Sequence, residues 1–275
     1  MGGTRLVLIA GEGRLPEILL DALCRQGREV ATIAFSDETA STLAPSSVSL
    51  LRCGAAEVGK IMGFLKAQEA TDVLMVGKVD KALLYREPKF DWRAVKLAFR
   101  LKDWRDDSLM AAFVAEMEHE GIKVLAQMDF LKDLLAPLGV LSSRQPTKKE
   151  MSDLHFGFGM AKGIAELDIG QTVVVKEKTI VAVEALEGTD ETIRRGCQVG
   201  GKGVVVVKVS KPRQDPRFDV PVVGEKTLRV LAEGGGSALG VEAGRTLVVD
   251  LDVLKAQAQK ANIALVALEG PSSKS

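Results

Sequence analysis

Short aliphatic runs alternate with stretches of helical spacing along the first half of the chain. In residues 15–25 and 58–65, apolar residues recur three or four positions apart, as on one face of an amphipathic helix. Strands separated by helices are typical of βαβ units, whose parallel strands are joined by right-handed crossovers. We therefore expect a parallel sheet covered by helices. The predicted strands cover residues 5–10, 30–35, 48–52, 72–76 and 123–127, and a largely helical stretch covers 92–120.

The second half has a mixed pattern. Two β-branched runs, 172–175 and 179–183, are joined by a short polar turn and predict an antiparallel hairpin. Residues 204–209 form the strongest strand signal of the chain, and a polar, proline-containing excursion over 210–221 follows. Helices are also predicted at 148–166, 226–232 and 253–261, and strands at 246–249 and 264–267.

The chain is long enough for two domains. It has 275 residues, against a typical domain size of about 150. Residues 136–147 contain proline and serine without clear periodicity and are our candidate linker. We predict an α/β protein with a Rossmann-like parallel-sheet domain over residues 1–136 and a mixed α/β domain over 137–275. Aromatic residues make up only 4%, so the cores must be aliphatic, as suits parallel strands buried on both faces.

Charge and cysteine content exclude several classes of function. Lys plus Arg and Asp plus Glu balance at 37 each, so nothing draws the chain to nucleic acid in general. Cys24, Cys53 and Cys197 form no CxxC pair, so we expect free thiols in a reducing compartment rather than a zinc site. No uncharged apolar run reaches the roughly 18 residues that span a bilayer. We expect a cytoplasmic protein.

Two glycine-containing loops follow predicted strands of the first half. Gly11 and Gly13 lie between a strand and a helix, where backbone amides can bind a phosphate. Pro16 stands where the dinucleotide fingerprint has its third glycine, so the match is partial, and a plain tight turn explains the loop equally well. Gly77 and Lys78 follow the fourth strand and should share the same rim. All four are candidate substrate contacts, although a solvated loop lysine is the ordinary alternative for Lys78.

Acidic residues gather where the predicted hairpin of the second half ends. Glu184, Glu187 and Asp190 lie in the sequence VEALEGTD. Hard divalent cations prefer carboxylate oxygens, so acids on one loop could converge on one ion. Thr189 is predicted to cap the helix that follows and to contact the substrate. Each acid alone would more often be a solvated surface group.

Basic residues and one further acid surround the strongest strand. Lys208 and Lys211 lie at its end, and Asp219 stands between apolar residues in RFDVPVVG. A carboxylate that binds a metal or orients a water needs such a partly shielded position. Acids for a cation beside bases for phosphates suit phosphoryl chemistry. His119 and His155 provide neither HExxH spacing nor an evident triad, and no GxSxG or GxxxxGK[ST] motif occurs.

Five sequence segments, which occur in the same order as in a known family, carry a resemblance to it. They are LIAGEGRLP, VGKVDK, LDIGQTVVVKEKTIVAVEALEGTDETIRR, KVSKPRQDPRFDVPVVG and AGRTLVVD. Over nearly its whole length the chain resembles the LpxI-type UDP-2,3-diacylglucosamine diphosphatases of lipid A biosynthesis. VEALEGTD and RFDVPVVG are the most specific of these strings, because neither belongs to a generic nucleotide-binding fold.

The resemblance implies a reaction, a cofactor and partners. The family hydrolyses UDP-2,3-diacylglucosamine to lipid X (2,3-diacylglucosamine 1-phosphate) and UMP with Mg²⁺, and an aspartate matching Asp219 is essential. We expect catalysis by Asp219, Glu187 and Asp190, a metal bound by Asp219 and Glu184, and a substrate held by the glycine loops, Thr189, Lys208 and Lys211. The family also implies a lipid cleft between the domains, a homodimer and peripheral contact with the inner membrane.

Two alternatives from other classes stay open. A nicotinamide-dependent oxidoreductase would use the loop that contains Gly11 and would bind NAD(H) without hydrolysing a nucleotide. A non-catalytic lipid or nucleotide carrier on the same fold would retain its ligand and show no Mg²⁺-stimulated turnover.

Overall fold

The chain folds into two compact units. The computed structural model describes residues 5–79, 91–98, 106–212 and 214–270. The first unit comprises Met1–Phe130 and Pro216–Phe218, and the second comprises Leu131–Asp215 and Asp219–Ser275. The boundary expected between residues 136 and 137, and the lipid cleft expected between the domains, stay predictions.

The first unit contains the predicted parallel sheet. In its described residues five strands pair in the order β3-β2-β1-β4-β5, and every pair is parallel. The central strands are aliphatic and buried on both faces, as parallel strands under helices must be. The strands are β1 Leu6–Ala10, β2 Val30–Ala34, β3 Ser49–Arg52, β4 Asp72–Val76 and β5 Lys123–Val124.

Helices cover this sheet. One hydrophobic cluster contains residues of β1, β2 and β4 and residues of the helices Val58–Ala67 and Asp106–His119. Asp37–Leu43 is a helix that the hydrophobic pattern missed because it is mostly polar; its start is fixed by Ser36, whose hydroxyl accepts from the amide of Thr39 at 3.1 Å. The described helices are Leu15–Arg25, Asp37–Leu43, Val58–Ala67, Trp92–Ala98 and Asp106–His119, and the rest of the predicted helical stretch between 99 and 105 lies outside the described residues.

The second unit has a mixed sheet, as predicted. Its six described strands pair in the order β6-β13-β11-β9-β7-β8, and β10 and β12 form a separate parallel pair. The hairpin of β7 and β8 is antiparallel, and β9, β11 and β13 are parallel to one another. The strands are β6 Gly139–Val140, β7 Thr172–Lys176, β8 Thr179–Val183, β9 Val205–Lys208, β10 Val222–Val223, β11 Ala238–Glu242, β12 Leu247–Val248 and β13 Ala264–Leu268.

Helices pack on both faces of the six-stranded sheet. Val173 and Val175 face the helix Lys148–Glu166, whereas Val174 faces the opposite cluster, as the alternation of strand side chains requires. The opposite face is covered by Thr189–Gly200, Glu225–Glu233 and Leu251–Lys260. Within the described ranges, no helix combines the length and the apolar character needed to cross a membrane.

Two local predictions for this unit need correction. Thr189 is the first residue of its helix rather than the cap, because Gly188 occupies the cap with a φ of 81°. β11 lies in the middle of the sheet although the pattern missed it, since a glycine interrupts its short apolar run. A Cβ on Gly240 would come within 2.7 Å of Leu154, so the missing side chain lets the helix Lys148–Glu166 pack closely.

The three cysteines are free thiols, and Cys53 and Cys197 are buried. Burial, together with the nearby Glu57 carboxylate, raises the pKa of the Cys53 thiol to about 11. A thiol with so high a pKa is protonated at neutral pH and is a poor nucleophile. Cys53 therefore belongs to the core of the first unit.

Candidate active site

The two glycine loops of the first unit meet at the ends of β1 and β4. The amide of Gly11 donates to the carbonyl of Val76 at 2.8 Å. Glu12 and Lys78 form an antiparallel bridge, with amide-to-carbonyl distances of 2.7 and 2.9 Å. The structure therefore brings Gly11, Gly13, Gly77 and Lys78 together at one end of the parallel sheet, where ligands of such folds bind.

Backbone packing explains two of these glycines. A Cβ on Gly11 would lie 2.5 Å from the carbonyl oxygen of Lys78, and one on Gly77 would lie 2.9 Å from that of Glu12. Gly77 also has a φ of +93°, a conformation that residues with a Cβ rarely adopt. Gly13 differs, because its φ is +103° and no atom lies within 4 Å of its Cβ position. This loop can present backbone to a ligand, but Lys78, the cation among the four predicted contacts, is exposed.

Most candidate residues of the second unit lie at one edge of its sheet. β8, β9 and β11 end at this edge and β7 begins there, since Lys208 is paired with Thr172 on one side and with Val241 on the other. Glu184 follows β8 directly, and Lys211 lies just beyond β9. The topology thus places acids and lysines from separate parts of the sequence on the same edge.

A partly buried hydrogen-bonded chain connects three of them. The Thr189 hydroxyl donates to Oε1 of Glu184 at 2.8 Å, and Nζ of Lys208 donates to the same hydroxyl oxygen at 3.1 Å. Lys208 also donates to the carbonyl of Val222 at 3.0 Å. Glu184 is only 8% exposed, and its Oε2 accepts from the amide of Gln171 at 3.3 Å. The Thr189 hydroxyl donates to Glu184 and accepts from Lys208, so it links these two charged side chains.

Gly170 packs against Glu184 and is not marked by any sequence motif. A Cβ at this position would overlap the carbonyl oxygen of Glu184. The close approach lets the next residue, Gln171, bond Glu184 through its amide and accept from the amide of Val209 at 2.9 Å through its carbonyl. A glycine two residues before a predicted strand was the available signal, because glycine commonly marks a close backbone approach.

Asp219 lies beside Lys211. Oδ2 of Asp219 is 3.5 Å from Nζ of Lys211, which is 2.8 Å from Oδ1 of Asp168. The amide of Asp219 donates to the carbonyl of Asp215 at 3.1 Å. The Asp219 side chain is 27% exposed, so it is shielded and yet accessible. This placement matches the partly shielded acid expected from the sequence.

The other predicted acids bind different partners. Asp190 lies 3.1 Å from Nζ of Lys226, and Glu187 accepts from Arg195 at 2.6 Å. Burial tends to raise the pKa of Glu187, but hydrogen bonds from its own amide, Arg195, Thr192 and the Ala185 amide outweigh it and lower that pKa below the ordinary value. In the part of the chain that the structure describes, no group of three metal-binding side chains occurs.

A second, largely buried network of residues that are far apart in the sequence lies at the same edge. Glu242 ends β11 and is 7% exposed. Its Oε2 accepts from the amide and the hydroxyl of Ser210 at 2.8 and 2.7 Å. Lys162 lies 3.0 Å from both carboxylate oxygens and donates to the carbonyl of Ser210 at 2.9 Å. Ser210 directly precedes Lys211.

Comparison with known proteins gives clear matches in sequence. The family model described as the LpxI N-terminal domain matches residues 5–134, and the LpxI C-terminal domain matches residues 137–266. The UDP-2,3-diacylglucosamine pyrophosphatase LpxI of Caulobacter vibrioides is 31% identical over 284 residues, which cover 96% of this chain and 98% of that protein.

Similarity to solved structures is weak. UDP-glucose 4-epimerase of Thermotoga maritima is 11% identical, with 98% of this chain and 87% of that chain covered and a TM-score of 0.35. The biotin carboxylase domain of Hydrogenobacter thermophilus 2-oxoglutarate carboxylase is 13% identical, with 72% and 42% covered and a TM-score of 0.28. Scores this low add nothing to the assignment. The two domain matches and the identity along nearly the whole length show that this chain belongs to the LpxI family.

Proposed function

We propose that this protein hydrolyses the diphosphate of UDP-2,3-diacylglucosamine to UMP and 2,3-diacylglucosamine 1-phosphate. The observation that carries the proposal is the match to the Caulobacter vibrioides pyrophosphatase across 96% of the chain. The sheet edge of the second unit supports it, because lysines and a partly shielded aspartate lie together there. In the reaction, a water oxygen bonds to one phosphorus and the bond from that phosphorus to the bridging oxygen breaks.

The lysines at this edge neutralise the diphosphate. Lys208 is held by Thr189 and by the carbonyl of Val222, so its ammonium group is oriented before the substrate arrives. Preorganised cations stabilise the charge of a phosphoryl transition state without reorganising during the reaction. Lys211 supplies a second positive charge next to Asp219.

Asp219 orients the attacking water. The ammonium group of Lys211 lies 3.5 Å from Oδ2 of Asp219 and holds this carboxylate by an ion pair. An ionised carboxylate accepts a hydrogen bond from water and can take its proton as the phosphorus–oxygen bond forms. The partial exposure of Asp219 allows a water to reach it.

The residues fit a magnesium ion that binds with the substrate. Mg²⁺ is usually held by one or two carboxylates together with substrate phosphates, and Asp219 can be such a ligand. Glu184 fits poorly, because its two oxygens already accept from Thr189 and Gln171; we assign it to positioning Thr189 and Lys208. When bound, Mg²⁺ would neutralise diphosphate charge.

The remaining assignments rest on family membership. They are a homodimer, a cytoplasmic location and peripheral contact with the inner membrane. Family membership gives no support to the nicotinamide-dependent oxidoreductase, and an assay for turnover separates the enzyme from a non-catalytic carrier.

The test is Asp219→Ala, assayed by UMP release from UDP-2,3-diacylglucosamine with Mg²⁺. We expect kcat to fall by about 10³-fold or more, as on loss of a group that acts in the transition state, while substrate binding is largely kept. Asp252→Ala is the matched control, since Asp252 lies in the same unit and its side chain is 96% exposed. Near-normal turnover by Asp219→Ala would remove Asp219 from the mechanism. Failure of the wild-type protein to release UMP would overturn the proposed function.

A further inference from the structure

We propose that Glu242, Ser210 and Lys162 are positioning residues that fix Lys211, and through it Asp219, in the productive arrangement. The inference rests on the proposed function, because it gives these residues a role in the same reaction. None of them touches the substrate in this proposal. Their action is on the backbone from which Lys211 extends.

The network restrains every polar group of Ser210. Its amide and hydroxyl donate to Glu242, and its carbonyl accepts from Lys162. Ser210 is 2% exposed, so water does not compete for these bonds. The backbone at Ser210 is therefore held from two directions, by the end of β11 and by the helix Lys148–Glu166.

The preceding residues are restrained by other elements. The amide of Val209 donates to the carbonyl of Gln171 at 2.9 Å, and Lys208 is bonded to Thr189 and Val222. The chain thus leaves β9 along a fixed path. Lys211, the next residue, meets Asp168 at 2.8 Å and Asp219 at 3.5 Å.

A purely structural role explains this network poorly. A buried ion pair of this kind contributes little net stability, because desolvation offsets the attraction between its charges. Apolar side chains packed at the end of β11 would stabilise the fold there at least as well as this ion pair does. Positioning is different, because a misplacement of about 1 Å in a catalytic arrangement can lower turnover by about 10²-fold.

Two variants test the network in the full-length protein. Glu242→Gln keeps the shape of the side chain but removes its charge, and Ser210→Ala removes one hydroxyl with less risk to folding. We expect kcat to fall by about tenfold to 10²-fold in Glu242→Gln, and by less in Ser210→Ala. KM should change by no more than about threefold, because the groups that contact the substrate remain.

Asp153→Asn is the matched control. Asp153 is also a buried carboxylate of the second unit, at 4% exposed. It accepts from the amides of Glu177 and Lys178 at 3.0 and 2.8 Å, in the hairpin turn at the opposite edge of the sheet. Its loss should lower the melting temperature to a similar extent while kcat is kept. An equal kcat for Glu242→Gln and Asp153→Asn would overturn the proposal.

A second readout needs no turnover. Acetic anhydride acylates lysines, and mass spectrometry gives the rate at Lys211 relative to that at the exposed Lys255. We expect acylation of Lys211 to be several-fold faster in Glu242→Gln and Ser210→Ala than in the wild type or in Asp153→Asn. Unchanged rates in both variants would overturn the proposal. Faster acylation in a protein that releases no UMP would support the positioning role and overturn only the proposed function.

Discussion

The two units present different chemistry where their strands end. At the ends of β1 and β4, the close packing of backbone against backbone accounts for Gly11 and Gly77, and the nearby Lys78 is exposed. At the sheet edge of the second unit, the carboxylates of Glu184 and Glu242 are buried and accept hydrogen bonds, from Thr189 and from Lys162 respectively. Burying charge is costly and often marks a functional site. The glycine loops form a scaffold able to approach a ligand, and we propose that the second unit carries the reactive groups.

Replacing one lysine in each region is the strongest test of this difference. We expect Lys208→Met to lower kcat/KM by about 10²-fold or more, because a cation preorganised by Thr189 and Val222 is lost. Lys78→Met should raise KM by about threefold at most, since an exposed lysine is screened by water. UMP release at low and saturating substrate measures both parameters. A larger loss of kcat/KM in Lys78→Met than in Lys208→Met would instead assign the reactive groups to the first unit.

Two glycine substitutions separate damage to the fold from damage to the site. In Gly11→Ala and Gly170→Ala the new Cβ would overlap backbone in each unit, and overpacking of this kind costs about 1–3 kcal/mol of unfolding free energy. Only Gly170→Ala displaces Glu184, so we expect the kcat of this variant to fall about tenfold. Gly11→Ala should change KM rather than kcat. Urea denaturation and steady-state kinetics measure the two effects. Equal losses of kcat would mean that the loops differ less than their geometry indicates.

The fold was largely predictable because its strands are continuous aliphatic runs. β1 and β4 were found nearly to the residue, and so was the hairpin of β7 and β8. β11 was missed, since the sequence ALGVE is short and contains a glycine that only its tertiary packing explains. Propensity and periodicity report on local structure and cannot reveal such a contact.

The site was predictable only where its parts are close in sequence. Lys208 ends β9, and Lys211 and Asp219 lie in the excursion that follows it, so all three could be named as candidates from the sequence. Lys162 and Glu242 are separated by 80 positions, and the packing of the helix Lys148–Glu166 against the sheet brings both of them to Ser210. Proximity in sequence also does not determine the partners of a side chain: Glu184 accepts from Thr189, whereas Glu187 accepts from Arg195.

Glu187→Gln compares Glu187 with Glu184 in the loop after β8 and should have the smallest effect of these substitutions. Both carboxylate oxygens of Glu187 accept hydrogen bonds, from Arg195 and Thr192 on one and from the Ala185 amide on the other. Its side chain is partly exposed, so the substitution should lower the free energy of unfolding at pH 7 by about 0.2–1 kcal/mol. We expect kcat to change by less than about twofold, because these bonds hold the start of a helix; a much larger drop would restore Glu187 to the catalytic residues.

The pH dependence of this loss identifies its origin. Hydrogen bonds outweigh burial and hold the pKa of Glu187 below its ordinary value of 4.5. A depressed pKa in the folded state adds stability above the unfolded-state pKa and loses it as the pH falls through the folded-state value. The melting temperatures of wild type and Glu187→Gln should therefore differ at pH 7 and converge below pH 4.5, as thermal denaturation across this range would measure. A difference independent of pH would assign the loss to packing, and Glu187 would then not act through its charge.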